Sequence, residues 1–179
     1  MKLSKQNGNI YLSHITVLVH AMKYGTPNII YNKYPPSDPC SCEICRTYCI
    51  RPGWWTVEEA ARAYYAGLGS RMMLELAPDL SYGVLSPAFR GCEGSIASKE
   101  YASYGCNFLK EGLCELHATE YLPLECRFCH HDRRGMGEQC HADIGCEWNC
   151  DRGKNLINRW VNSILKEIHT QGSKPGKSI

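Results

Sequence analysis

The chain has 179 residues, 20 Lys plus Arg against 18 Asp plus Glu, and a formal net charge of +2. That length suits one compact domain with a core of its own, and a balance so near neutral excludes a nucleic-acid-coating polycation and an acidic disordered tail. With 44% hydrophobic and 21% charged residues, disorder is excluded as the main state, yet only 3 Phe stand beside 12 Cys.

In chain order, residues 10–24 place Tyr11, Leu12, Ile15, Leu18, Val19 and Met22 at helical spacing, with Gly25 and Pro27 as a stop signal. His20 interrupts the apolar run and no small-residue cleavage site follows, so no secretory signal is read. Residues 26–55 are turn-rich, with Pro35, Pro36 and Pro39 unsuited to a helix or central strand. Thr56-Val57-Glu58-Glu59 is a capping box opening a helix over about 57–66, which ends near Gly67 and Gly69. A second short helix is expected over 71–77, before Pro78, and an extended segment over 81–91. The clearest element is the last: Leu156, Ile157, Trp160, Val161, Ile164, Leu165 and Ile168 form the apolar stripe of an amphipathic helix, with Asp151 as its N-cap. The tail 171–179 reads as flexible, leaving 1–170 as one cysteine-rich domain.

No run of 18 apolar residues occurs, so no transmembrane helix is expected. Without an export signal the expected location is cytoplasmic, where thiols stay reduced and clustered cysteines point to metal rather than disulfides. The first cluster is Cys40-x-Cys42-x2-Cys45-x3-Cys49, four thiols within ten residues. Cys-x2-Cys is the usual half-site of a tetrahedral zinc centre. The stretch is also close to the ferredoxin run, but its first gap is one residue short and Ile50 follows the last cysteine instead of proline.

The second group begins with Cys92, Cys106 and Cys114, followed by the half-site Cys126-x2-Cys129 and by Cys140, with His130, His131 and His141 close by. Of the histidines, His130 and His141 are taken with these cysteines as candidate ligands, imidazole and thiolate together suiting zinc and iron. Asp132 is expected to orient one of the rings through its free N–H. A phosphate-binding glycine loop, a G-x-S-x-G elbow and an H-E-x-x-H motif are all lacking. The basic segment Arg127, His130, His131, Arg133, Arg134 reads as a solvated loop, and Trp54-Trp55 as packing beside the first cluster.

Three elements resemble the YkgJ-type cysteine-cluster family of zinc- or iron-chelating domains. They are Gly105-Cys106-Asn107-Phe108-Leu109, Gly112-Leu113-Cys114-Glu115-Leu116-His117 and Pro123-Leu124-Glu125-Cys126-Arg127, and an upstream Cys42/Cys45 pair ahead of the Thr56–Glu59 helix start is similar too. The resemblance implies Cys106, Cys114 and Cys126 as ligands, completed by an upstream cysteine. The expectation is an α+β domain, mostly α with irregular loops, small and metal-stabilised. Its expected ligands are metal ions, zinc first, with iron or an Fe–S cluster as the alternative. A protein partner is allowed for; nucleic acid and membrane are not expected. The expected role is metal handling or a metal-stabilised interaction module. The alternatives are an Fe–S redox protein, or a metalloenzyme with an open position near Cys126–His141.

Overall fold

The computed structural model describes residues 29–172, so the apolar stretch 10–24 lies outside the described residues. The chain divides into two compact units, Met1–Lys33 and Tyr34–Ile179. Of the first, the described part is a short helix, α1 (Ile29–Lys33). All twelve cysteines fall in the second, and none is in a disulfide.

The second unit is α+β: short helices and two small antiparallel ribbons joined by irregular loops. In chain order it holds α2 (Glu43–Tyr48), α3 (Val57–Ala63), β1 (Met72–Leu76), β2 (Gly83–Pro87), β3 (Leu109–Lys110), β4 (Leu113–Cys114), α4 (Leu124–Phe128), α5 (Gly137–Trp148) and α6 (Asp151–Gly172). The capping box is present as read. Thr56 Oγ1 accepts from the Glu59 N–H at 3.2 Å, and the Glu59 carboxylate accepts from the Thr56 N–H at 3.1 Å. The helix is shorter than expected, giving way after Ala63 to a wider turn, Tyr64–Leu68, broken at Gly67.

Several expectations are corrected. The segment 71–77 is a strand, not a helix: Met72, Met73 and Leu74 are all buried, and β1 pairs with β2 in the register Met72↔Pro87, Leu74↔Leu85, Leu76↔Gly83. A short apolar run carries no period to tell the two states apart, and pairing with the extended segment decides it. The turn-rich segment 26–55 also contains helix, since α2 starts inside the first cysteine cluster. The C-terminal helix is present, but it starts at Asp151 itself, so Cys150 and not Asp151 stands at its N-cap, the Cys150 Sγ accepting from the Gly153 N–H at 3.4 Å; the helix runs two residues into the expected tail, to Gly172, and 173–179 lie outside the described residues. Its stripe is buried only at Leu156 and Trp160, while Leu165 and Ile168 stand exposed.

The core gathers Trp55, Val57, Ala60, Met72, Leu85, Phe108, Leu124, Phe128, Ile144 and Trp148, all essentially without exposure. Burying a side chain of Leu or Phe size is worth about 1.5–3 kcal/mol, and each indole adds a polar handle that must find a partner. All four do. Trp54 donates to Glu75 Oε1 at 2.9 Å, Trp55 to the Tyr121 carbonyl at 2.7 Å, Trp148 to the Trp55 carbonyl at 2.8 Å and Trp160 to the Gly69 carbonyl at 2.7 Å. Among the described residues, no helix is long and apolar enough to cross a membrane.

Candidate metal centre

The proline-rich segment has no ladder of its own, so its backbone groups are satisfied by a distant stretch. Ser37 donates its N–H to the Arg127 carbonyl at 2.8 Å and its hydroxyl to the Phe128 carbonyl at 2.9 Å. From the other side Arg133 donates to the Pro35 carbonyl at 2.7 Å and lies over the Phe128 ring at 4.8 Å. Tyr34 packs edge-on against Phe128 and donates to Asp143 Oδ2 at 2.6 Å. These ties lay residues 34–39 along residues 127–133, and they bring a histidine to the first cysteines.

That histidine is His131. Its Nδ1 lies 3.5 Å from Cys40 Sγ, 3.7 Å from Cys42 Sγ and 3.5 Å from Cys45 Sγ. All four ligand atoms fall within 4.8 Å of one another, a Cys3His group able to hold a metal ion. Bonds of about 2.3 Å to sulfur and 2.0–2.1 Å to nitrogen at tetrahedral angles put those atoms about 3.6 Å apart. The observed spacings straddle that value. Local structure supports it: Cys42 caps α2, its Sγ accepting from the Cys45 N–H at 3.5 Å. That backbone donor holds the Cys42 thiol below its ordinary range, whereas burial pushes the Cys45 thiol up to about 11.

The expected ligands divide among several places. Cys49, one turn beyond Cys45 at the C-cap of the same short helix, does not join the Cys3His group. It lines a cavity of about 260 Å³ with Cys106, Cys114 and Cys126, and Cys40, Cys45, Cys129 and His130 also reach that cavity's wall. Each of the four is carried by a different segment. Cys106 is tied by its N–H to the Ile50 carbonyl at 2.9 Å, next to Cys49. Cys114 ends a ribbon whose two-residue turn, Glu111 and Gly112, has positive φ at both positions, +50° and +77°, the mirror-image turn that suits strand twist. Cys126 sits on α4 against Gly53, where a Cβ would stand 2.7 Å from its Sγ and 2.9 Å from its N. Only glycine lets the two backbones approach so closely.

Glu59 links this second group to the capping box. Its buried carboxylate also accepts from the Leu124 N–H at 3.0 Å and pairs with Arg127, so one side chain starts both α3 and α4. This accounts for Arg127 and, with the Pro35 contact of Arg133, for much of the basic segment: its charges hold the fold. Burial pushes the Cys49, Cys106 and Cys114 thiols up, Cys106 to about 11, and drives Cys126 well above its ordinary value.

Cys92 lies apart, in an apolar cluster with Met73, Ala88 and Phe89. There it acts as a small hydrophobe. Burial raises Cys129 and Cys140 to about 11 and about 12, with the Glu125 carboxylate as the next cause in both. His141 has its Nδ1 3.1 Å from Glu125 Oε1, and its ring is stacked on Trp54 at 3.5 Å between centroids. His130 Nδ1 meets Asp132 Oδ1 at 2.5 Å, so Asp132 does orient a ring, the one beside the ligand-placed histidine. His130 and His131 stack at 4.0 Å. The signal that separates them is this carboxylate two residues after His130, which claims the Nδ1 of that ring and leaves the Nδ1 of its neighbour to face the sulfurs. Comparison with family models, with curated proteins and with solved structures finds no match to this chain.

Proposed function

We propose that the protein is a thiolate-rich chelating domain that holds a zinc ion at Cys40, Cys42, Cys45 and His131. The observation that carries this reading is the set of near-equal Nδ1–Sγ spacings, 3.5, 3.7 and 3.5 Å, the edges of a tetrahedron of zinc size. Four protein ligands close the shell, which is the mark of a structural site; a catalytic zinc keeps one position for water or substrate. Zinc supplies cross-linking there, clamping the proline-rich segment and α2 to the 131–133 turn. Structural zinc sites in small peptides are worth about 10–16 kcal/mol at neutral pH, ample to offset irregular loops. With the ion on Nδ1, the ring proton sits on Nε2.

A YkgJ-type chelating domain, the family its cysteine motifs resemble, shares only the broader part of this reading, metal held by thiolates, because that resemblance implies ligands at Cys106, Cys114 and Cys126 instead. Elemental analysis of the purified chain tests it, together with cobalt substitution as a visible probe of ligand geometry. One zinc per chain at this centre, tetrahedral cobalt bands, and loss of both in His131→Ala are the expected results. A fully folded chain with no metal, or His131→Ala with unaltered zinc and unaltered cobalt bands, overturns the reading. Iron in place of zinc at the same stoichiometry keeps the site and corrects the metal.

A further inference from the structure

The three sulfurs of the Cys3His group lie within 4.8 Å of one another, a short side-chain movement from bonding distance. They differ in access: Cys42 is exposed, Cys40 half-buried and Cys45 buried. They differ also in placement. Cys42 and Cys45 stand three residues apart on one turn, where the Cys42 Sγ accepts from the Cys45 N–H at 3.5 Å. Helical geometry sets the Cα atoms of such a pair about 5 Å apart, within the roughly 4.4–6.8 Å that a disulfide spans. Cys40 lies outside that turn, at the end of the proline-rich segment. Cys49 is turned back on the helix, its Sγ donating to the Cys45 carbonyl at 3.8 Å, and is not one of the group.

The geometry points to a redox-controlled zinc centre, in which a peroxide oxidises Cys42 and Cys45 to a disulfide and the ion leaves. This rests on the zinc reading above and adds its regulation. Zinc keeps the ligating sulfurs deprotonated, the state that reacts. A solvent-accessible thiolate with a second thiol beside it is the arrangement of a redox-sensing cysteine. The exposed Cys42 sulfur attacks one oxygen of hydrogen peroxide; the O–O bond breaks, and the second oxygen takes a proton from solvent and departs as water. Cys42 is then a sulfenic acid. The Cys45 thiolate attacks its sulfur, the S–O bond breaks, and hydroxide takes a second solvent proton to leave as water. Two electrons pass from the two sulfurs to one peroxide. Cys40 and His131 remain, and two ligands do not fill a shell of four.

The frame around the centre does not depend on the ion. Ser37 is held by the Arg127 and Phe128 carbonyls and Arg133 by the Pro35 carbonyl, and none of these bonds uses a ligand atom. Cys40 and His131 are therefore kept side by side when zinc departs. A dithiol reductant that reopens the disulfide regenerates the site by thiol–disulfide exchange.

The test exposes the full zinc-loaded chain to hydrogen peroxide while a chromogenic chelator reads free zinc. One zinc released and two thiols lost per chain, in step, are expected, both restored by dithiothreitol and zinc. Fragmentation of peptide 34–46 should show Cys40 as its one alkylated cysteine. Cys42→His keeps four ligands but removes the exposed sulfur, and should release zinc about tenfold more slowly. Cys49→Ser should release it as the parent does. Zinc retained under peroxide, a disulfide at any other pair, or release from Cys42→His at the parent's rate overturns the proposal. A chain that takes up no zinc before peroxide is added overturns the centre itself, and this regulation with it. Should Cys42→His fail to fold, the peptide map of the unsubstituted chain decides.

Discussion

The two cysteine sets are built in opposite ways. Cys40, Cys42 and Cys45 lie within six residues and need a single distant partner, His131. Cys49, Cys106, Cys114 and Cys126 come from four segments spread over 78 positions and are placed by the fold around them. The first set closes short loops at little entropic cost, so its three sulfurs can capture an ion early; the second becomes a site only once the long loops are shut. A local set is robust to damage in the scaffold, and a distributed one shares the scaffold's fate.

Breaking Glu59 should separate them most sharply. Glu59→Ala removes the acceptor for the Thr56 and Leu124 N–H groups and leaves Arg127 without its buried partner. A loss of about 3–5 kcal/mol is expected, read by denaturant unfolding of the zinc-loaded chain, with the Cys3His group keeping its zinc until the chain unfolds. Zinc lost by the still-folded variant would show that the local set is not independently supported.

A change outside both sets should move stability and leave the zinc in place. Glu147 accepts from the Val57 N–H with its Oε2 buried and unpartnered, and burial raises its carboxyl to about 7 against the help of Arg152, with Glu59 and Glu58 adding to the rise. A raised carboxyl binds its proton more tightly when folded. Its contribution is therefore complete below about pH 4.5 and lost as pH climbs to about 7. Glu147→Gln stays neutral, so its stability relative to the parent should rise over that interval by ~3 kcal/mol at most. A pH-independent difference would rule out this titration. The smallest effect belongs to Cys92→Ala, which trims the apolar cluster it forms with Met73, Ala88 and Phe89. About 1 kcal/mol of stability and no change in zinc are expected.

Much of this was legible in the residues, and the misses have physical causes. Thr56 and Glu59 announce their helix because capping is local chemistry, and the stripe from Leu156 to Ile168 announces its own by period. Cys42 and Cys45 are legible as a half-site for the same reason: the contact that shapes them spans three residues. The sequence puts His130 and His141 forward and not His131, because the choice rests on which ring Asp132 and Glu125 capture, a matter of turn geometry. Cys49 reads as part of the first cluster by spacing, yet one further helical turn carries it to the other set. The strand Met72–Leu76 looks helical until Gly83–Pro87 is seen to pair with it. The twenty-one-residue gap between Trp54 and Glu75 gives no hint that they meet.

The four indoles make the molecule its own optical gauge. Trp54 lies against His141, which touches the Glu125 carboxylate beside Cys126, and that carboxylate also accepts the Trp54 N–H at 2.7 Å. Light emitted by this ring should change when its contacts with His141 and Glu125 are broken. Opening of this region can thus be followed in real time without attaching a dye.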